Sequence, residues 1–146
     1  MDVEPFKIRV NQIDWTNYET AYGIAHNIPK LLIDLIGNDQ QKTLDATHNL
    51  WCGLCHQHAY ASSAAEPAYP FLKEVLIHTT PIIQVELLDI FYGFAVCTNP
   101  INPYPNDSFQ KRLRAEMKKD LKLFESFIGK HEVDFAHLIV NELKES

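Results

Sequence analysis

Apolar residues recur at the spacing of an α-helix along most of this chain, and a proline stands near the start of several of these segments. Pro29 and Pro81 each open such a segment, and Pro67 or Pro70 opens a third. Proline is favoured in the first turn of a helix, because the N–H group that it lacks would have no partner there. Hydrophobic residues make up 46% and charged residues 22% of the chain, as in ordinary globular proteins. The pattern predicts an ordered all-α fold.

We predict about seven helices in one domain of 146 residues. The predicted helices span residues 14–27, 29–36, 39–56, 67–80, 82–96, 108–128 and 132–143. Phe6, Ile8 and Val10 alternate with basic residues, so residues 1–13 are expected to form an extended arm. Residues 98–107 contain three prolines and should form a stiff surface loop.

Two of the predicted helix pairs are similar to each other at an offset of 41 residues, at which Pro29 aligns with Pro70. This offset lies within the range of about 40 to 47 residues that is typical of HEAT and armadillo repeats. A single amphipathic hairpin cannot bury its apolar face alone, so neighbouring hairpins stack. The sequence therefore predicts a short α-solenoid of HEAT-like repeats over residues 14–97, capped by helices in residues 108–146.

Several short motifs lie between residues 13 and 97: Asp14-Trp15, Tyr18 to Tyr22, Ile28-Pro29, Leu50-Trp51, His56-Gln57, Tyr60 and Pro70-Phe71-Leu72. In these motifs the chain resembles small bacterial HEAT-like repeat proteins. The resemblance implies a binding or scaffold module, and it also implies a role as an immunity protein, because many such proteins accompany bacterial toxins. The chain departs from the family pattern at His58, where other members usually have glycine, and at Cys52 and Cys55.

The formal net charge of the chain is -6, and the negative charge is concentrated in its first two thirds. Residues 1–107 contain 12 acidic and 5 basic side chains, whereas residues 108–146 contain 7 acidic and 8 basic ones. This distribution argues against binding to nucleic acid and favours a basic protein partner. The alternative is that the negative surface only keeps the protein soluble.

Four residues are the candidate contacts with such a partner. Asp34 and Glu74 lie on equivalent helices of the two predicted repeats, Glu66 lies in the central loop and Tyr104 lies in the proline-rich loop.

The N-terminal residues have neither the basic nor the apolar region of a secretory signal. The most apolar run, residues 82–97, contains Glu86 and Asp89, which could not be buried in a bilayer without a large cost. Three cysteines are an odd number and too few for a disulfide scaffold of this length. We therefore expect a cytoplasmic protein that does not interact with membranes.

Residues 51–56, WCGLCH, contain strings that are typical of two kinds of redox site. WCGLC is similar to the thioredoxin motif, and CGLCH matches the string for covalent haem attachment. In thioredoxin the reactive cysteine lies at the N-terminus of a helix, whereas Cys52 and Cys55 are expected inside or at the C-terminal end of one, where the helix dipole raises a thiol pKa. Haem attachment normally requires export. We therefore predict neither activity and no cofactor.

A zinc site is the stronger chemical alternative, because Cys52, Cys55, His56 and His58 are a possible Cys2His2 set. However, one helix rarely supplies four tetrahedral ligands, and no second Cys-x-x-Cys pair is present. We therefore predict no metal and a structural role for this segment. It should form a corner that joins the two helix pairs, in which His56 and Gln57 bond to backbone groups. The corner residues are Trp51, His56, Gln57 and Tyr60.

The sequence contains no recognisable arrangement of a nucleophile and a base, and its five glycines form no phosphate-binding loop. We therefore predict a non-enzymatic protein-binding module, in its most concrete form an immunity protein that occludes a cognate toxin. The alternatives are a zinc-stabilised helical domain and an oligomeric scaffold.

Overall fold

The computed structural model describes residues 1–144, which are mostly helical. The helices are α1 (Val3–Asn11), α2 (Ile28–Asp34), α3 (Gln40–Cys55), α4 (Ala65–His78), α5 (Pro81–Cys97), α6 (Phe109–Lys119), α7 (Leu121–Glu125) and α8 (Phe135–Lys144). A short antiparallel hairpin pairs β1 (Glu19–Thr20) with β2 (Gly23–Ile24). The predicted all-α class is therefore confirmed, apart from this small hairpin. None of the described helices combines the length and the hydrophobicity needed to span a bilayer.

Helix α5 lies at the centre of the molecule. It contacts α3, α4, α6 and α8, as well as the turn that follows α3. Phe91 is fully buried in α5 and packs against Tyr69 of α4 and Phe124 of α7, with ring centroids 5.5 Å apart in both pairs. Aromatic rings at this separation add to the stability that burial already provides. The core therefore forms around this helix.

Helices α2 to α5 form two pairs. The members of each pair, α2 with α3 and α4 with α5, pack against each other. The pairs also pack together, because α2 contacts α4 and α3 contacts α5. Stacked helix pairs are what the offset of 41 residues predicts. The finer statement, that the pairs are HEAT-like repeats of a solenoid, stays a prediction.

The prediction of an extended arm over residues 1–13 is wrong, because α1 forms there. Phe6 and Val10 are four positions apart, lie on one face of this helix and are fully buried, while Ile8 is exposed. The Phe6 ring meets Phe71 of α4 edge-on at 5.6 Å. Burial of both apolar residues on one face favours a helix over a strand that would have no partner.

The prediction of a helix over residues 14–27 is also wrong. A 3₁₀ turn at Trp15–Asn17 and the β1–β2 hairpin occupy this segment. The Trp15 ring is buried, and its Nε1–H donates to the Val10 carbonyl at 2.9 Å. The hairpin is bound to α3 through the Ala21 N–H, which donates to the Gly53 carbonyl at 2.9 Å.

The single helix predicted over residues 108–128 is divided into α6 and α7 at Asp120. The Asp120 carboxylate accepts a hydrogen bond from the Tyr69 hydroxyl at 2.8 Å and forms a salt bridge with Lys73 Nζ at 3.1 Å. Both partners belong to α4, so a long-range contact holds Asp120 at the point where the predicted helix is interrupted. Residues 98–107 contain turns but no helix or strand.

Candidate functional site

Helix α3 ends in a backbone conformation that side chains other than glycine rarely adopt. His56, Gln57 and His58 have φ angles of 41°, 55° and 71°, so three successive residues lie in the left-handed region. Residues with a Cβ visit this region singly, at a cost of roughly 1–2 kcal/mol each. Such strain persists only where the surrounding structure enforces it, and it is common at functional sites. We call residues 56–58 the left-handed turn, and it is the candidate site.

His58 attaches the left-handed turn to α5. Its Nε2 lies 2.7 Å from Asp89 Oδ1 and 3.1 Å from the Asp89 carbonyl oxygen. The imidazole also meets the rings of Trp51 and Tyr92 edge-on, at centroid distances of 5.7 and 5.2 Å. Gly93 gives the turn the space for this contact, since a Cβ at Gly93 would lie 2.7 Å from His58 Cδ2.

Two exposed tyrosine rings flank the half-buried His56 ring of the left-handed turn, and we call these three side chains the aromatic patch (Tyr22, His56 and Tyr60). The His56 ring centroid lies 6.1 Å from that of Tyr22 and 4.9 Å from that of Tyr60. Tyr22 is 70% exposed and Tyr60 is 46% exposed, although both are large rings. Large exposed aromatic side chains held close together are a feature of protein interfaces.

Two buried polar atoms at the left-handed turn have no hydrogen-bond partner within residues 1–144. One is His56 Nδ1 in the aromatic patch, and the other is Trp51 Nε1, whose ring contacts His58. A cleft of about 470 Å³ adjoins the patch and is lined by Glu19, Tyr60, Ser63 and other residues. A buried donor or acceptor without a partner costs roughly 1–3 kcal/mol, which again indicates that this region is not optimised for stability alone.

Two of the three cysteines, Cys55 and Cys97, are poor nucleophiles. Burial raises the pKa of Cys55 to about 12 and that of Cys97 to about 11. The Cys55 thiol donates to the Trp51 carbonyl at 3.3 Å, and Cys52 Sγ lies 3.7 Å from His48 Nε2. The three cysteines are free thiols. Because the reactive species is the thiolate, the raised pKa of Cys55 disfavours redox or covalent chemistry there.

The four donors of the zinc alternative contact different groups. Cys52 faces His48 and Cys55 bonds within its own helix. His56 packs on Tyr60, whereas His58 is paired with α5. In the part of the chain that the structure describes, no group of three or more His, Cys, Asp or Glu side chains is arranged to hold a metal ion. The four side chains considered as zinc ligands therefore do not converge on one point.

The predicted corner residues Trp51, His56 and Tyr60 do lie around the left-handed turn, and Gln57 is exposed in its middle. The hydrogen bond predicted from the His56 ring to the loop backbone is not made by Nδ1, which has no partner among the described residues. His58 makes the attachment instead. Its partner Asp89 lies 31 positions away in the sequence, so no local signal could have identified the pair.

The three predicted carboxylate contacts are each paired within the molecule. Asp34 lies 3.3 Å from Lys30 Nζ in α2. Glu66 lies in the first turn of α4, not in the central loop as predicted, and accepts from Arg112 at 2.7 Å.

The third carboxylate, Glu74, accepts two bonds of 2.8 Å from Arg9, and this guanidinium lowers the pKa of Glu74. The fourth candidate, Tyr104, lies in the proline-rich loop, and its hydroxyl donates to the Cys97 carbonyl at 2.9 Å. Partial burial raises the pKa of Tyr104.

The chain was compared with protein families, curated proteins and solved structures. None of them matches it. The resemblance to HEAT-like proteins therefore rests on the sequence motifs alone.

The replacement Gln57→Gly is expected to stabilise the protein by about 1 kcal/mol, because glycine has no Cβ to oppose a positive φ. Part of the gain is offset, since glycine gives the unfolded chain more freedom. Urea denaturation of both proteins measures the difference. The control Gln57→Ala keeps the Cβ and should change stability by less than about 0.5 kcal/mol. Equal stability of the glycine and alanine variants would show that the left-handed turn is not strained.

Proposed function

We propose that this protein is a non-enzymatic binding module that recognises a basic protein through the aromatic patch. The observation that carries the proposal is the left-handed turn, which presents His56 between Tyr22 and Tyr60 at a cost in stability. Tyrosine is over-represented among the residues that dominate binding energy, because it offers a large contact area with few rotatable bonds. A turn held by its surroundings further lowers the entropy that is lost when a partner binds.

The charge of the chain supports a basic partner. The aromatic patch lies within residues 1–107, where acidic side chains outnumber basic ones by 12 to 5. Glu19 lines the cleft beside Tyr60, is exposed and makes no ion pair with the described residues. Asp34, Glu66 and Glu74 are already neutralised by neighbouring cations. Glu19 is therefore the carboxylate best placed to attract a cationic partner, and such attraction mainly increases the rate of association.

The most specific form of this proposal is that the protein neutralises a cognate bacterial toxin by occluding it. This role comes from the resemblance to small HEAT-like proteins, and the patch and the acidic charge are compatible with it. A gene for a toxin beside the gene for this protein would support this form, whereas a metabolic operon would count against it.

Site-specific photo-crosslinking in cells, followed by titration, tests the proposal. A photoreactive amino acid at Tyr60 is expected to capture a basic protein, and the same group at Ile128 is not. Ile128 is a matched control, because it is 39% exposed and Tyr60 is 46% exposed. With the purified partner, Tyr60→Ala is expected to weaken binding by about 30-fold, as for a typical hot spot, and Ile128→Ala should have no effect.

Two results would contradict the proposal. One is a partner that is captured equally well from Tyr60 and Ile128. The other is an affinity that neither Tyr60→Ala nor Tyr22→Ala changes, although circular dichroism shows that both variants are folded. Capture of a second copy of the same chain from Tyr60 would instead support the oligomeric scaffold.

A further inference from the structure

A second concave surface lies between the proline-rich loop and α6. It is a cavity of about 290 Å³, and its lining includes Pro100 and Tyr104 from the loop and Lys111, Arg114 and Ala115 from α6. This volume is at the lower end of the range for small-molecule sites. The loop is stiffened by its prolines, and the Tyr104 hydroxyl is fixed to the Cys97 carbonyl at 2.9 Å. The cavity is therefore formed before any ligand binds.

Arg114 carries a buried positive charge at this cavity. Its side chain is only 5% exposed, Nη1 donates to the Ala95 carbonyl at 2.8 Å, and Nη2 donates to the Glu142 carbonyl at 2.8 Å. A longer contact of 3.4 Å joins Nη1 to Thr98 Oγ1. These acceptors are neutral oxygens, and Nε is buried without a partner in the described part of the chain. The Glu142 carboxylate attracts the guanidinium only through space and accepts a hydrogen bond from Asn99.

The other described residues of the lining add positive charge, apolar surface and the neutral polar groups of Thr98 and Asn102. Lys111 lies in the lining, and its Nζ is 2.8 Å from the neutral Asn106 Oδ1. Among the described residues that line the cavity, there is no aspartate or glutamate. Pro100, Ala115 and the Tyr104 ring supply apolar surface. A positive site with apolar walls favours a ligand with one negative charge and a hydrophobic body, because electrostatic attraction is strong where water is displaced.

We propose that this cavity binds a small organic carboxylate. The carboxylate group lies toward Lys111 and the buried charge of Arg114, and the aliphatic or aromatic body packs against Pro100 and Tyr104. The proposal is independent of the aromatic patch, since none of the patch residues lines the cavity. It adds a ligand of defined chemistry to a protein whose proposed partner is another protein.

Titration of the full chain with benzoate, followed by NMR, tests this site. Benzoate is expected to bind saturably with a dissociation constant of about 1 mM, as for a ligand of its size, and to shift the amide signals of residues 98–104 and 111–118. Benzamide has the same shape without the charge and should bind at least tenfold more weakly. Inorganic phosphate, which has no apolar body, should also bind at least tenfold more weakly.

Two lysine variants test whether the charge of Lys111 contributes to benzoate binding. Lys111→Gln is expected to weaken benzoate binding by threefold or more. The matched control is Lys119→Gln, because Lys119 is also exposed on α6 but pairs with Glu116 and does not line the cavity. The proposal would be overturned if benzamide bound as tightly as benzoate, or if the two lysine variants had equal effects. It would also be overturned if the amide signals shifted mainly outside these segments. Binding of phosphate as tight as that of benzoate would overturn it too, since the apolar walls would then contribute nothing.

Discussion

Replacement of Gly93 by alanine is expected to lower the free energy of unfolding by about 2–3 kcal/mol, the cost typical of overpacking in a core. A loss of stability is unusual for this replacement, because alanine normally stabilises a helix interior by about 1 kcal/mol relative to glycine. At this position in α5, however, a Cβ would lie 2.6 Å from Cys55 Sγ and 2.7 Å from His58 Cδ2. Both neighbours are held by packing and hydrogen bonds, so they cannot move away without cost.

The matched control is Gly53→Ala in α3, another buried glycine inside a helix. There the nearest atom to a new Cβ is Thr20 Cβ at 3.7 Å, an ordinary contact. This control should stabilise the protein by up to about 1 kcal/mol. In the Gly93→Ala background, Cys55→Ala should restore part of the lost stability because it removes the sulfur. Urea denaturation measures all of these variants, and a Gly93→Ala protein as stable as the wild type would contradict the tight contact.

Replacement of Arg114 by methionine is expected to destabilise the protein by about 3 kcal/mol, because each buried carbonyl left without a donor costs roughly 1–3 kcal/mol. Methionine has a similar length and keeps most of the packing, but it cannot donate hydrogen bonds. The two carbonyls that Arg114 binds belong to Ala95 and Glu142, near the C-terminal ends of α5 and α8. Helix C-termini also carry partial negative charge, which a cation stabilises.

Two further variants make the Arg114 prediction specific. Arg112→Met, two positions earlier on α6, removes an exposed ion pair with Glu66 and should cost less than about 1 kcal/mol. Arg114→Lys keeps the charge, but a single ammonium group cannot reproduce the fork that reaches both carbonyls. We therefore expect the stability of Arg114→Lys in thermal and urea denaturation to lie between that of the wild type and that of Arg114→Met. Equal effects of Arg112→Met and Arg114→Met would show that Arg114 does not connect the helix ends.

Local signals in the sequence are sufficient for helices α2, α3 and α5. Prolines at positions 29 and 81 lie at the N-termini of α2 and α5, and the Asp39 carboxylate accepts from the Gln41 and Lys42 N–H groups at the start of α3. These cues act within one helical turn, so they can be recognised without knowing the fold.

The prediction that Pro67 or Pro70 opens the next helix after α3 is wrong, because α4 begins at Ala65 and Pro70 lies inside it. The α1 segment has weaker forms of these cues, because Asp2 at its N-cap makes no side-chain hydrogen bond and Pro5 is the third residue of the helix. Its Phe6 and Val10 fit both an alternating and a helical pattern, and only the apolar surface of α4 decides between the two.

The candidate site was less accessible from sequence because it depends on contacts between distant segments. Asp89 and Gly93, which position the left-handed turn, belong to α5. The carboxylates of Glu66 and Glu74 look free in the sequence, but they pair with cations 46 and 65 positions away. One signal was present at position 58. The family that the chain resembles usually has glycine there, and His58 does have the positive φ that glycine accommodates best.

The β1–β2 hairpin is hydrogen-bonded to the residues that follow Tyr60. The Ala64 N–H donates to the Glu19 carbonyl at 3.0 Å, and Ser63 Oγ accepts from the Glu19 N–H at 2.9 Å. The hairpin therefore ties the loop after Tyr60 to the segment that carries Tyr22, so one short stretch of chain both contributes a ring to the aromatic patch and restrains the loop beside it. A protein that lacked this hairpin would lose Tyr22 and both of these hydrogen bonds.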